Sequence, residues 1–513
     1  MIVRRLRSVL PALLLFCAAC AAPRAQAYSL LTHEQLIDLT WDSSIVPLLK
    51  SRYPTLTPQQ IEQARAYAYG GCVIQDIGYY PFGDPFFSNL THYVRSGDFV
   101  VNLFRNAGNV NELAFAVGAL SHYIGDSIGH SEATNLAVPV EFPRLYDKYG
   151  HVVNYAEGEH QHVQTEFAFD IDEIAQHRLA PIRYLRHVGL MVPTKQVQLA
   201  FFQTYGLRED LTQHRSARIN VGAYRFAVRR FIPRIAFALT VLHRHHEPAD
   251  VYNADLKKLQ ADLAVVAREN HWDQYRGHAG VGTYLLAGFV RILPKVGPLK
   301  LLAIKGPTPA TEVLYIHSVV QSQTALEYAV KHFTPPPALA PTADIAASQD
   351  SGGTPPPAPQ ARAQSQAADQ QRAQTASIGP QTALANARYG SALGSTARAV
   401  ATKTADPAHP LLNRDLDTGK PVQPAGYPLT DMTYAELLHR LTRTSTLPVP
   451  SGTRQSILDY FADLSLPFAT KKYPALWAQV QADLITMRAM PVSNEPDPFA
   501  TFGDQSPPPE LNQ

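Results

Sequence analysis

The chain has 513 residues, 45% hydrophobic and 17% charged, which is material for a large core or several domains and excludes a small fold dependent on cross-links. Its 45 Lys+Arg and 43 Asp+Glu give a net charge of +2, and setting aside Arg4, Arg5, Arg7 and Arg24 of the N-terminal segment leaves 41 against 43, which argues against nucleic-acid binding by bulk positive charge. Of three cysteines, Cys17 and Cys20 fall in that same segment, so a chain without it keeps Cys72 alone and forms no internal disulfide.

Residues 1–27 read as a secretory signal: a basic start at Arg4, Arg5 and Arg7, an apolar run from Val9 to Ala22, and Ala25-Gln26-Ala27 as a small-x-small cleavage site. The run is too short for a bilayer span and is interrupted by Pro11, and no later stretch has 18 apolar residues without charge. The expectation is an exported protein, periplasmic or secreted, with no transmembrane anchor and Tyr28 as its new N-terminus.

Residues 28–333 alternate helix-period runs with Gly, Pro and Asn punctuation and are expected to form an all-α domain of many helices. Thr32-His33-Glu34-Gln35 has the form of a capping box opening a helix through Leu39. Pro58 after Thr57 starts another, which Gly70-Gly71 should stop. The best-defined helix runs from Asn111 to Ile128, with Leu113, Val117, Leu120 and Ile124 on one stripe. Helices are also expected over 216–243, 253–269 and 310–331.

Composition changes at Thr334. Residues 334–406 carry two Pro-Pro-Pro runs and repeated Ala, Gln and Ser, and read as a disordered linker with a transient helix near 380–400. Residues 407–495 read as a small helical C-terminal region, with amphipathic helices at Tyr434, at Gln455 and over 474–490. Residues 496–513 read as a disordered tail. Asp415 and Asp417, in Arg414-Asp415-Leu416-Asp417-Thr418-Gly419, do not complete a calcium loop and read as a turn.

Chemistry concentrates in His122-Tyr-Ile-Gly-Asp126-Ser-Ile-Gly-His130, three ligand-type side chains at i, i+4 and i+8. His162 and Glu166 repeat the i, i+4 spacing. Imidazole and carboxylate donors suit zinc, and the lack of Cys points to a site with an open position. Either pair alone is equally well read as buried structural polars. His33, Asp76 and His92 complete an ordered series.

That series resembles the zinc-dependent phospholipase C superfamily, which also includes single-strand-specific secreted nucleases. The resemblance covers residues 28–333 and implies three zinc ions. One would be held by Asp76, His92, His122 and Asp126, and a second by His130, His162 and Glu166. The third would take the amino group and carbonyl of Tyr28, with His33 and a bridging Asp126. Tyr28 stands where these families usually have Trp. The four-residue step from Asp126 to His130 is more like the glycosylphosphatidylinositol-specific phospholipase D branch.

The implied activity is hydrolysis of phospholipids by water activated at zinc, with Asp76, or alternatively Glu166, orienting or deprotonating that water. The same site in a nuclease acting on single-stranded nucleic acid is the first alternative, disfavoured by the neutral charge. A helical binding protein with a structural metal cluster is the second. Tyr79, Tyr80, Phe82, Phe86 and Phe87 are read as core before pocket, His160 and His151 as residues outside the ligand set, and His243, His245 and His246 as a helix end.

Overall fold

The computed structural model describes residues 30–80, 83–208, 219–222, 226, 253–276, 306–332, 394–402, 404, 409–444 and 448–493. The expected signal segment with Tyr28, most of the 216–243 helix, His243, His245 and His246, Phe82, most of the expected linker and the 496–513 tail lie outside them. The helices include α1 (Leu30–Thr40), α2 (Pro58–Gly71), α3 (Pro85–Tyr93), α4 (Ser96–Arg105), α5 (Val110–Gly129), α6 (Tyr155–Ala175), α7 (Thr194–Tyr205), α8 (Ala254–Glu269), α9 (Pro309–His332), α10 (Ser395–Ala401), α11 (Pro428–Thr444), α12 (Ser451–Tyr460) and α13 (Pro474–Ala489). Two-residue ladders join β1 (Arg414–Asp415) antiparallel to β2 (Lys420–Pro421) and β3 (Val449–Pro450) parallel to β4 (Val492–Ser493). The fold is all-α, as expected. Among the described residues, no helix is long and apolar enough to cross a membrane.

The axis of the fold is α5. Asn109 caps it by accepting from the amides of Asn111 and Glu112, and every residue from Leu113 to Gly129 is buried. A helix enclosed all round has to be covered on every side. Here α2, α4 and α9 pack against it.

Small residues set the closest approach. A Cβ on Gly71 would lie 2.0 Å from the Phe115 carbonyl oxygen, and one on Gly118 would lie 2.2 Å from that of Ala68. Gly70-Gly71 thus forms the last turn of α2, where Gly71 admits the α5 backbone and Gly70 that of Met191. The helix ends at this pair, as expected. The Thr57–Gln60 capping box at the other end of α2 is present.

The start of α1 also differs from expectation. The chain is already helical at Leu30, and Thr32 is not an N-cap. Asp170 of α6 does that work from outside: its carboxylate accepts from the amides of Leu31 (3.0 Å) and Thr32 (3.2 Å) and from the Thr32 hydroxyl (2.7 Å). A carboxylate at a helix N-terminus satisfies orphan amides and opposes the positive end of the helix dipole.

The C-terminal region packs onto the rest of the described chain. Helix α11 packs on α3, and Leu437, Leu438, Leu441 and Phe461 share one apolar core with Leu120 and Ile124. Arg95, at a left-handed φ of 50°, donates to the Thr204 carbonyl (2.7 Å) and the Thr453 hydroxyl (2.8 Å), tying α7 to α12. Order begins before residue 407: α10 lies inside the range expected as linker, with Ala397, Val400 and Ala401 buried against α9 and α5.

Candidate metal centre

Four stretches of chain deliver fully buried histidines and acids to one place. His33 comes from α1, Asp76 from the 3-10 turn Ile74–Tyr79, His92 from α3, and His122 and Asp126 from consecutive turns of α5. His33 Nε2 is 3.1 Å from Asp126 Oδ1, and Asp126 Oδ2 lies 3.1 Å from His122 Nε2 and 3.3 Å from His92 Nε2. His92 Nε2 is also 3.4 Å from Asp76 Oδ1. The rings of His33 and His122 stack at 4.3 Å.

Hydrogen bonds fix which nitrogens face inward. His92 Nδ1 is 2.7 Å from the Ser88 carbonyl and His122 Nδ1 is 2.9 Å from the Cys72 carbonyl. A carbonyl only accepts, so both Nδ1 atoms carry hydrogen and donate. In the neutral tautomer each Nε2 then presents a lone pair. Those two Nε2 atoms are 3.3 Å apart and face the carboxylates of Asp76 and Asp126. Lone pairs facing lone pairs in a buried space require a proton or a cation between them.

A second group forms where α5 ends. His130 opens a π-helical turn, His130–Thr134, directly after α5. Such widened turns recur at functional sites because they re-aim a side chain. His130 meets His162 of α6, ring centroids 5.1 Å apart, and His162 Nδ1 is 2.9 Å from Glu166 Oε1. His162 Nε2 is 2.8 Å from Asn135 Oδ1, while Asn135 Nδ2 donates to the carbonyl of Asp417 at 2.8 Å. The amide orientation is thereby set, His162 Nε2–H donates, and Nδ1 turns its lone pair toward Glu166. Both ring nitrogens of His130 are buried without a hydrogen-bond partner.

Three sets of donor atoms are each within mutual 4.8 Å: His33, His122 and Asp126; Asp76, His92 and His122; and His130, His162 and Glu166. The structure therefore brings together every ligand candidate from the sequence except Tyr28, which lies outside the described residues. Nitrogen and carboxylate donors at this spacing fit zinc.

The electrostatics agree with that fit. Burial pushes the Glu166 carboxyl well up, and the charges of Asp126, Asp417, Asp76 and Asp170 add to it. Burial also lowers His162 well below its ordinary value and His130 to about 3, favouring the neutral imidazole that a metal needs. For His92, burial works downward, yet hydrogen bonding to Asp126 and Asp76 holds the ring well above its ordinary value. A metal ion entering at neutral pH must displace that proton. Zinc titrations in buffers of different ionisation enthalpy should show net proton release; a buffer-independent enthalpy contradicts this account.

Asp417 was not among the ligand candidates. It is fully buried, and its Oδ1 stands 3.7 Å from His130 Nε2. The hydroxyls of Tyr93 (2.9 Å) and Tyr427 (2.7 Å) both donate to Oδ2. The turn expected at Arg414–Gly419 is present, between β1 and β2, and it points into the site. Asp170 was also missed, although it continues the His162, Glu166 stripe by one more step of four. Asp170→Ala removes three hydrogen bonds to a charged acceptor and should cost about 3 kcal/mol or more, read as a lower urea midpoint.

The weaker candidates fall elsewhere. His160 is exposed, and His151 lies 3.4 Å from the Tyr146 hydroxyl. Phe86 and Phe87 are core, and Tyr79 is buried with its ring 5.8 Å from that of His92.

Residues 32–207 match the family model described as zinc dependent phospholipase C. No curated protein and no solved structure matches the chain.

Proposed function

Taking as premise that the chain belongs, through residues 32–207, to the zinc-dependent phospholipase C superfamily, we propose that it is an exported phosphodiesterase that hydrolyses phospholipids at a site for three zinc ions. The observation that carries this reading is the set of buried imidazole lone pairs turned toward Asp76, Asp126 and Glu166, in three overlapping or adjoining groups. Asp126 is the shared member, with one oxygen toward His33 and the other toward His92 and His122.

Bound zinc supplies Lewis acidity toward water and toward phosphoryl oxygens. The chain's own residues do the positioning. The Ser88 and Cys72 carbonyls lock the rings of His92 and His122, and Asn135 locks that of His162. Asp76 keeps Oδ2 buried and without a hydrogen-bond partner, so that atom is available to orient the attacking water and take its proton. Glu166, whose Oε1 lies 2.9 Å from His162 Nδ1, is the alternative acceptor.

The test is phosphorus NMR of the chain beginning at Tyr28, incubated with phosphatidylcholine vesicles and single-stranded DNA, beside a chelated sample. Chelator-sensitive phosphocholine is the expected product. Nucleotides alone would transfer the activity to the nuclease branch, and phosphatidic acid would move the cut to the head-group side of the phosphate. Wild-type protein that binds zinc yet releases no phosphorus product from either substrate would remove the catalytic reading for both.

A further inference from the structure

The family match ends at residue 207, yet the group around His130 contains a carboxylate from the C-terminal region. Asp417 reaches it on a segment pressed against the catalytic helices. The Leu416 amide donates to the His92 carbonyl (3.1 Å), the Arg414 amide donates to the Ser96 hydroxyl (3.0 Å), and the Tyr123 hydroxyl donates to the Leu412 carbonyl (2.7 Å). Gly419 closes the loop at φ 66°, and a Cβ there would lie 2.2 Å from the Ser127 carbonyl oxygen on α5. Only glycine lets the loop sit this close.

Each polar atom of Asp417 that faces the centre has a definable task. Its carbonyl orients Asn135, which in turn orients His162. Oδ2 is saturated by two tyrosine hydroxyls. Oδ1 is left buried without a hydrogen-bond partner, 3.7 Å from the equally unpartnered Nε2 of His130. Two ligands at 2.0–2.2 Å from one zinc ion are separated by no more than about 4.4 Å, and by about 3.4 Å in a tetrahedron. The 3.7 Å gap therefore accommodates an ion bonded to both atoms. A buried, unpartnered carboxylate oxygen would otherwise carry an uncompensated desolvation cost.

We propose that Asp417 joins His130 as a protein ligand of the second metal position, its Oδ1 drawing in to an ion seated by His130, His162 and Glu166, whose donor atoms lie within 4.8 Å of one another without it. The C-terminal region is thus part of the metal centre. The proposal rests on the assignment of this centre to zinc. It further means that the second position has four protein ligands, in the manner of a closed site, and that the reacting water is bound on the side of Asp76 and His92.

The test compares full-length wild type with Asp417→Asn, and with Asp415→Asn as a control in the same loop. Asp415 accepts from the Thr430 hydroxyl and the Thr418 amide. Zinc content, affinity by chelator competition and the visible spectrum of the cobalt(II)-substituted protein are the readouts. Asp417→Asn should weaken one zinc by about 100-fold or more, a larger loss than the 10–100-fold expected for a residue that only supports a ligand, and should change the cobalt bands. Asp415→Asn should leave both unchanged.

Unaltered affinity and spectrum in Asp417→Asn overturn the assignment, as does higher activity at unchanged zinc affinity, which identifies a self-blocking contact instead. If Asp417→Asn fails to fold, anomalous zinc density in wild-type crystals decides: Asp417 Oδ1 within about 2.2 Å of the ion supports the proposal and a separation beyond about 3 Å overturns it. Wild-type protein that binds no zinc at all sinks the functional reading as well, which separates the two failures.

Discussion

Asp126→Ala should abolish turnover and remove zinc from more than one position. Its two oxygens face three histidines that come from three helices, His33, His92 and His122, at 3.1–3.3 Å. Alanine leaves those buried rings without the carboxylate that makes the space favourable for a cation. Loss of roughly 4 kcal/mol of transition-state stabilisation corresponds to about a thousandfold in rate. Metal analysis beside kcat/KM checks both halves. A variant that keeps its full zinc content contradicts the shared-ligand arrangement, whatever its activity.

Gly71→Ala should strongly destabilise the fold. The new methyl would lie 2.0 Å from the Phe115 carbonyl oxygen, and because the obstacle is backbone, no side chain can turn away to make room. Helices α2 and α5 must separate by roughly 1 Å or more, at a cost near or above the upper end of the usual 1–3 kcal/mol for overpacking. At about 2–4 °C per kcal/mol for a larger domain, the melting midpoint should fall by roughly 6 °C or more. The shift also reaches the metal centre. Cys72, the next residue, supplies the carbonyl that orients His122, and Asp76 comes four residues later. Weaker zinc binding should accompany the lower midpoint. A melt within about 2 °C of wild type would falsify the close-packing account.

Helices whose signals are local were legible in the sequence. Thr57-Pro58 and Asn253 cap as the residue types suggest, and the apolar stripe of α5 marks a helix that proves to be buried on all sides. Local signals mislead where distant chain supplies the partner. The Thr32-x-x-Gln35 pattern imitates a capping box, but Asp170, 138 residues away, takes the Thr32 hydroxyl and amide. Gly70-Gly71 does end α2, but nothing local shows that Gly71 also lies against the α5 backbone.

His122, Asp126, His130, His162 and Glu166 stood out by their steps of four, whereas His33, Asp76 and His92 were legible only through the ordered series that resembles the family. Asp417 was not. Its relation to His130 spans 287 positions and leaves no local period, and the turn residues around it are equally suited to an ordinary surface loop. The composition break at Thr334 also suggests a C-terminal region standing apart, whereas the apolar faces of α11 and α13 are completed by the same core that surrounds α5. Amphipathic helices of this length need a partner surface, and the sequence does not say which one.

The hydrogen bond from Asn135 to the Asp417 carbonyl has a consequence for the order in which the protein comes into being. Ribosomal synthesis runs from the N-terminus at about 5–20 residues per second, so the 251 residues between Glu166 and Asp417 take roughly 10–50 s to appear. Throughout that interval the nascent chain already holds His130, His162 and Glu166 but lacks the carbonyl that turns Asn135 toward His162. A prematurely terminated product lacks it permanently. Completion of the candidate metal centre is thereby coupled to completion of the polypeptide.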